Sequence, residues 1–310
     1  MQTLRVNIFN TSSNLPLLAA LEAGCFERRG LALALQHTPN SDAQRAGLAQ
    51  GLFEIAHAAV DNAVAMVEAG QDVVVVLGGD AGMNEFMVRP EIETMADLGG
   101  KVLAVDAPNT AYALVAKKIL KNHGLLEGRD YSVRLAGGTG PRAAAMVSDP
   151  QLAAAMINPP FSFTVRAQGL RSLGNQHTLL GPYQATGAFV LRPWAQAHAD
   201  LLQAYLAACI EGQRLVMDPT RREAMLALLM RSFKLDRDAA TGTYEALLTP
   251  GAGLAPDARF DLEGFRTVLS IRAEMEGMWG GVPPEPQRYI DLGFYTAALQ
   301  CCDTDREGRT

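Results

Sequence analysis

The sequence has no lysine- or arginine-rich run, and its charge balance is acidic. Lys and Arg number 27 against 33 Asp and Glu, a net charge of −6 at pH 7. A tight nucleic-acid binder needs a basic footprint, so that class of partner is excluded. No apolar stretch approaches the roughly 20 residues that cross a bilayer. The longest, such as Val73 to Leu77, are strand-sized. The first residues lack a basic start followed by an apolar stretch, and Leu4 to Phe9 alternates like a first strand. The expectation is that any secretory signal is absent or already removed.

Reactive groups are also scarce. The four cysteines, Cys25, Cys209, Cys301 and Cys302, form no CxxC pair and are expected to be free thiols. Cys301 and Cys302 adjoin a polar tail, Asp303 to Thr310, expected to fray. The histidines (His37, His57, His123, His177 and His198) are scattered, with no metal-binding pair. No G-x-S-x-G elbow occurs. No metal, cofactor or catalytic constellation is therefore expected.

The chain does have apolar residues in abundance, 48% against 19% charged, enough to bury a large core. A length of 310 residues suggests two lobes or one large domain. Strands are predicted at Leu4–Phe9, Leu31–Gln36, Phe53–Val60 and Asp72–Leu77, with helices over Leu15–Arg28, Ala43–Gln50 and Asp61–Ala69. Asn14 is placed to cap the first helix. The Val-rich run to Leu77 predicts a parallel sheet covered on both faces. The alternation restarts with strands Lys101–Val105, Tyr131–Leu135 and Ala153–Ile157 and helices Thr110–Asn122, Pro141–Val147 and Phe161–Gln168. Two β/α runs in series predict an α/β protein of two parallel-sheet lobes. The segment Phe86–Arg89 leaves the first lobe and Ala188–Leu191 returns to it. The division is lobe 1 over 1–86, lobe 2 over 87–186, then 187–310 back in lobe 1 with C-terminal helices near 194–217, 220–231, 236–247 and 261–277.

Several strand ends carry candidate binding residues. The turn Ala136 to Arg142 holds three glycines and leads into a helix. Glycine lets a ligand approach the backbone, and a helix start offers unpaired N–H groups to an anion. Thr139 and Arg142 are candidates there; the alternatives are a plain tight turn and an Arg142 that points to solvent or pairs with a surface acid. The turn matches neither G-x-G-x-x-G nor a phosphate-binding P-loop. Asn109 and Thr110 open the next helix: one of them caps it, and the functional alternative is that its neighbour, or the free N–H groups, meets a solute. Asn158 ends a strand, where ligands of open α/β sheets bind; the alternative is that Pro159 and Pro160 merely break that strand. Asp61 is either a helix cap or a ligand residue. Asp80 and Asp106 fall near strand ends.

The residues resemble a family. Leu15-Pro16-Leu17, followed by Ala23-Gly24-Cys25-Phe26-Glu27-Arg28-Arg29-Gly30-Leu31, resembles the opening of ABC-type nitrate/sulfonate/taurine solute-binding proteins. Gly51 to Ala56 resembles their G-x-x-D-I-A strand, and Met95 to Val102 their approach to the second lobe. Asn109-Thr110-Ala111-Tyr112 and Ala153 to Pro159 fall at two further family positions. The resemblance implies the type II periplasmic-binding-protein fold, two α/β lobes around a central cleft. It also implies a small-molecule solute, an ABC transporter permease as partner and a periplasmic location, while the two β/α runs and their two connecting segments predict a monomer with a closing hinge. A cytoplasmic location is the alternative if no signal precedes the chain. Carried onto this chain, the cleft residues are Ser12, Asn14, Asp61, Asn62, Asn109, Thr110 and Asn158; Asp80, Tyr112, Thr139 and Arg142 join them as candidates. Asn109 replaces the family's common serine and Asn158 its glutamate, so an aromatic or heterocyclic solute, as in thiamine-precursor-synthesis relatives, stands beside a sulfonate or nitrate. An enzyme (decarboxylase-like, for example) or a ligand sensor on the same fold is the alternative function. For an enzyme only Asp61, Asp80 and Tyr112 offer an acid or base.

Overall fold

The computed structural model describes residues 1–307 of the chain, with side chains to Thr304. Ten strands form two five-stranded sheets. In chain order the strands are β1 (Gln2–Ile8), β2 (Leu31–His37), β3 (Ile55–Ala59), β4 (Val73–Leu77), β5 (Glu85–Val88), β6 (Val102–Val105), β7 (Ser132–Leu135), β8 (Leu152–Ile157), β9 (Arg171–Asn175) and β10 (Thr186–Leu191). The first sheet runs β2-β1-β3-β10-β4 and the second β7-β6-β8-β5-β9.

The helices between β1 and β10 are α1 (Leu15–Glu22), α2 (Ser41–Ala49), α3 (Asp61–Glu68), α4 (Ala111–Asn122), α5 (Thr139–Ser148), α6 (Phe161–Ala167) and α7 (Gln176–Leu180). After β10 come α8 (Arg192–Ala197), α9 (Ala199–Met217), α10 (Arg222–Phe233), α11 (Arg237–Leu248), α12 (Leu262–Glu276) and α13 (Gly293–Glu307).

Both sheets are mixed, not parallel as the strand pattern suggested. β10 pairs antiparallel with β3 and β4, and β5 antiparallel with β8 and β9. The reason is the crossover. Each of these strands reaches its sheet from the other sheet's side, so each runs against its neighbours. The Val-rich β4 is consequently an outer strand. It stays buried because Tyr289 to Asp291 lies along its free edge: Val75 N donates to Tyr289 O at 2.9 Å and Asp291 N to Val75 O at 2.9 Å. Covering an edge in this way removes a pairing hazard.

Other expectations also need correction. The first helix ends at Glu22 rather than Arg28, because the chain turns at Gly24 with φ +67°, a conformation that favours glycine. Strand β9 and helices α7 and α13 carry no clear period in the sequence. α13 absorbs Asp303 to Glu307 instead of leaving them frayed, and it buries Cys302. Residues 308–310 of the expected tail lie outside the described residues.

One apolar cluster is shared between the sheets. It joins Val64 and Val75 to Val88, Val105, Leu114 and Ile119, with Phe265, Val268 and Leu269 of α12 packed among them. Each such side chain contributes about 1.5–3 kcal/mol when fully buried. A second cluster holds β1, α1 and α9 together. There Gly212 is essential to spacing, since a Cβ at that position would lie 2.1 Å from Pro16 O. That close approach brings the face of α9 bearing Cys209 and Gln213 behind the start of α1.

Candidate functional site

Between the two sheets lies a cavity, about 100 Å³ of which is open to the centre of a water molecule. Its first wall comes from the β1–α1 loop, β3, β10 and α9, and includes Phe9, Asn14, His57, Thr186 and Gln213. Its second wall comes from the starts of α4 and α5 and the end of β8: Asp106, Thr110, Tyr112, Thr139, Arg142 and Asn158. Ala58, Ala59 and Gly187 also line the first wall.

Arg142 dominates the second wall. Its side chain is 2% exposed yet borders the cavity. Nε and Nη2 donate to Met156 O at 3.1 and 3.0 Å, and Nη1 donates to Gly137 O at 2.8 Å. Those bonds fix the guanidinium without neutralising it. The nearest carboxylate is Asp106, at 3.9 Å, and that group also accepts a short hydrogen bond from the Thr110 hydroxyl. Burial pulls the Arg142 pKa down, with Asp106 and Tyr112 opposing the shift; arginine still stays charged at pH 7.

Two helix starts flank it. Thr110 occupies the N-cap of α4 and Gly138 that of α5, and neither makes a side-chain capping bond. The sequence places a side-chain cap at either Asn109 or Thr110; Thr110 takes the N-cap position without making that bond. Its hydroxyl is instead turned back to Asp106 and to Ala107 O. A helix start left uncapped keeps N–H groups available and behaves like about half a positive charge.

The first wall is neutral. His57 is hydrogen-bonded through Nε2 to the Tyr205 hydroxyl at 2.7 Å, and burial pushes its pKa down to about 4. Behind the wall, Asp80 is buried and accepts from Gly82 N at 2.8 Å and from the Thr186 hydroxyl. Burial, only partly offset by those two bonds, pushes its pKa up to about 6. The native state then holds this proton more tightly than the unfolded chain, whose Asp titrates near 3.9. Stability therefore falls as pH rises through the window from about 4 to about 6. Asp80→Asn should remove that loss. Denaturant titrations at several pH values should show the variant gaining about 2 kcal/mol on wild type between pH 4 and pH 7. A constant difference across that window would contradict the assignment.

Seven of the sequence candidates meet at the cavity: Asn14, Asn62, Thr110, Tyr112, Thr139, Arg142 and Asn158. The other four do not border it. Ser12 is buried and donates to Pro159 O at 2.8 Å, stitching the walls together. Asp61 neither caps α3 nor borders the cavity; it binds Arg272 of α12 through both oxygens, with Nη2 to Oδ2 at 2.8 Å. Asp80 lies behind Thr186. Asn109 is exposed, and its carbonyl accepts from Arg272 Nη2 at 3.3 Å. Asn14 does not cap α1 either; its Nδ2 donates to Phe9 O at 2.7 Å.

Sequence reasoning missed Phe9, His57, Thr186 and Gln213 as cavity residues. A small-residue strand, Ile55-Ala56-His57-Ala58-Ala59, was the one available signal for His57. No local pattern marks Gln213. Among the described residues no group of three or more His, Cys, Asp or Glu side chains is arranged to hold a metal ion. No helix among them is long and apolar enough to cross a membrane.

Comparison with known proteins agrees with this architecture. The NMT1/THI5-like family model matches residues 11–156. No curated protein matches the sequence. Among solved structures, the ligand-binding component of an ABC-type import system from Staphylococcus aureus, with zinc bound, superposes at a TM-score of 0.80. It is 14% identical, over 96% of this chain and 99% of that one. The alkanesulfonate-binding protein SsuA from Xanthomonas axonopodis pv. citri, bound to MOPS, gives 0.74 at 19% identity, over 92% and 95%. The periplasmic nitrate-binding protein NrtA from Synechocystis PCC 6803 gives 0.79 at 13% identity, over 97% and 89%. The chain thus has the two-lobed periplasmic-binding-protein fold over nearly its whole length, and residues 11–156 match the NMT1/THI5-like family model.

Proposed function

We propose that the chain is the solute-binding component of an ABC importer and holds a small anionic solute between its lobes. The observation that carries this reading is Arg142. A buried guanidinium that borders a cavity, is held by backbone carbonyls and has only a long ion pair with Asp106, at 3.9 Å, is placed to meet an anion. The uncapped starts of α4 and α5 point the same way. Asn14, Asn62, Thr110, Tyr112, Thr139, Arg142 and Asn158 are the proposed binding residues. Asp61, a ligand candidate in the sequence, is already engaged by Arg272.

The remaining parts of the reading follow from the likeness to import components. The solute would be captured outside the cytoplasm, passed to a membrane permease, and returned unchanged when released. A thermal-shift series tests the binding. Ethanesulfonate, propanoate, nitrate and inorganic phosphate are compared with ethanolammonium and choline at equal ionic strength. At least one anion should stabilise the protein, by about 2.7 kcal/mol at 100 times its Kd, and neither cation should. Stabilisation by a cation and by no anion would overturn the reading. Mass spectrometry of the bound anion after long incubation should return it intact.

A further inference from the structure

The first wall of the cavity makes a demand that a bare anion does not meet. Gln213 lies on α9, is almost fully buried and borders the cavity. Its Nε2 donates to Ala255 O at 2.7 Å and to Gly79 O at 3.3 Å. A backbone carbonyl only accepts, so these bonds fix which way the amide is turned. Its Oε1 is left without a donor among the described residues. Asn14 repeats the arrangement from the other side of α1's start. Its Nδ2 is held by Phe9 O, and its Oδ1 has no donor among the described residues. Thr186 is a third case, since its hydroxyl hydrogen is given to Asp80 and its oxygen keeps lone pairs for the cavity it borders.

Three neutral acceptors thus line the first wall, beside the hydroxyls of Thr11 and Ser13, while Arg142 and the two helix starts bring positive charge to the second, next to the Asp106 carboxylate. Asn14 and Gln213 are mostly shielded from bulk water, and leaving such acceptors unmatched under a bound solute is unfavourable. We infer that the solute is an organic anion carrying O–H or N–H donors on the part opposite its charged group, so that the anion meets Arg142 while the donors meet Asn14, Thr186 and Gln213. Inorganic anions and plain alkyl anions meet only half of the site. Neutral His57, on the same wall, gives no charge that a second anionic group would need. The inference rests on the proposed anion site and narrows its substrate class.

Matched pairs test it on the full-length protein. Ethanesulfonate is compared with 2-hydroxyethanesulfonate, and propane- and butanesulfonate with their terminal hydroxyl counterparts, by calorimetry. For at least one chain length the hydroxylated member should bind about tenfold more tightly. In Gln213→Met, and independently in Asn14→Leu, that ratio should shrink. The ratio is taken within each variant, so a loss of stability common to both probes leaves it unaffected. Equal affinities of both members at every length in the wild type would overturn the inference and leave the anion site standing. Absence of binding by every member, charged head included, would instead overturn the anion site and this inference with it.

Discussion

Arg142→Met should weaken ethanesulfonate binding by more than tenfold. The lost contact is a charge-assisted hydrogen bond, worth about 1.5–3 kcal/mol, and 1.4 kcal/mol is a factor of ten in Kd. The guanidinium is held in place by Met156 O and Gly137 O, so an anion gains its charge without first ordering a flexible side chain. Methionine keeps most of the volume but leaves both carbonyls unpartnered, which should cost about 1–3 kcal/mol of stability as well. Calorimetry reports the first effect and denaturant unfolding the second. Arg142→Lys separates them, because it keeps a charge but cannot reproduce the planar fork. An unchanged Kd in Arg142→Met, with the fold intact, would remove this residue from the site.

Asp61→Asn should destabilise the protein by about 3–5 kcal/mol in denaturant unfolding. The pair Asp61–Arg272 is buried, with side chains 3% and 4% exposed. Removing Asp61 leaves the buried Arg272 guanidinium with a single carboxylate partner. Glu276 is the remaining carboxylate on Arg272, 2.7 Å away, and it is partly exposed. The double variant Asp61→Leu with Arg272→Met should recover most of the loss, since an apolar pair of similar size avoids desolvating either charge. If the single variant is as stable as wild type, the ion pair is not what joins α12 to the start of α3. Arg272 also reaches Asn109 O in the other lobe, and Glu274 of α12 pairs with Lys118 and Lys121 of α4. The same helix therefore braces one side of the cleft.

These two residues also show how much of the molecule was legible beforehand. Most strands and the early helices declare themselves by period, because the two sides of each must meet different surroundings. Arg142 was visible because a glycine-rich turn precedes it and a helix begins beside it, both local features. Asp61 was visible only as a carboxylate after a strand. Its fate was set by Arg272, 211 positions away, and no local pattern encodes such a pairing. Gln213 lies in a 19-residue helix, where a lone amide on a mostly apolar face carries no signal. It faces the cavity because Gly212 lets α9 approach Pro16 closely. The direction of β5 and β10 was likewise hidden, since strand direction follows from the route between lobes, not from the strand's composition.

The central claim is that an anion sits between the two lobes, at the starts of α4 and α5 and against Arg142. Amide hydrogen exchange with and without saturating 2-hydroxyethanesulfonate, or the tightest-binding anion of the thermal-shift series, tests it most directly. Exchange should slow in both helix starts, residues 111–113 and 139–142, and also in the facing segment 12–17 of the first lobe. Protection confined to one lobe, or centred away from these segments, would contradict the account.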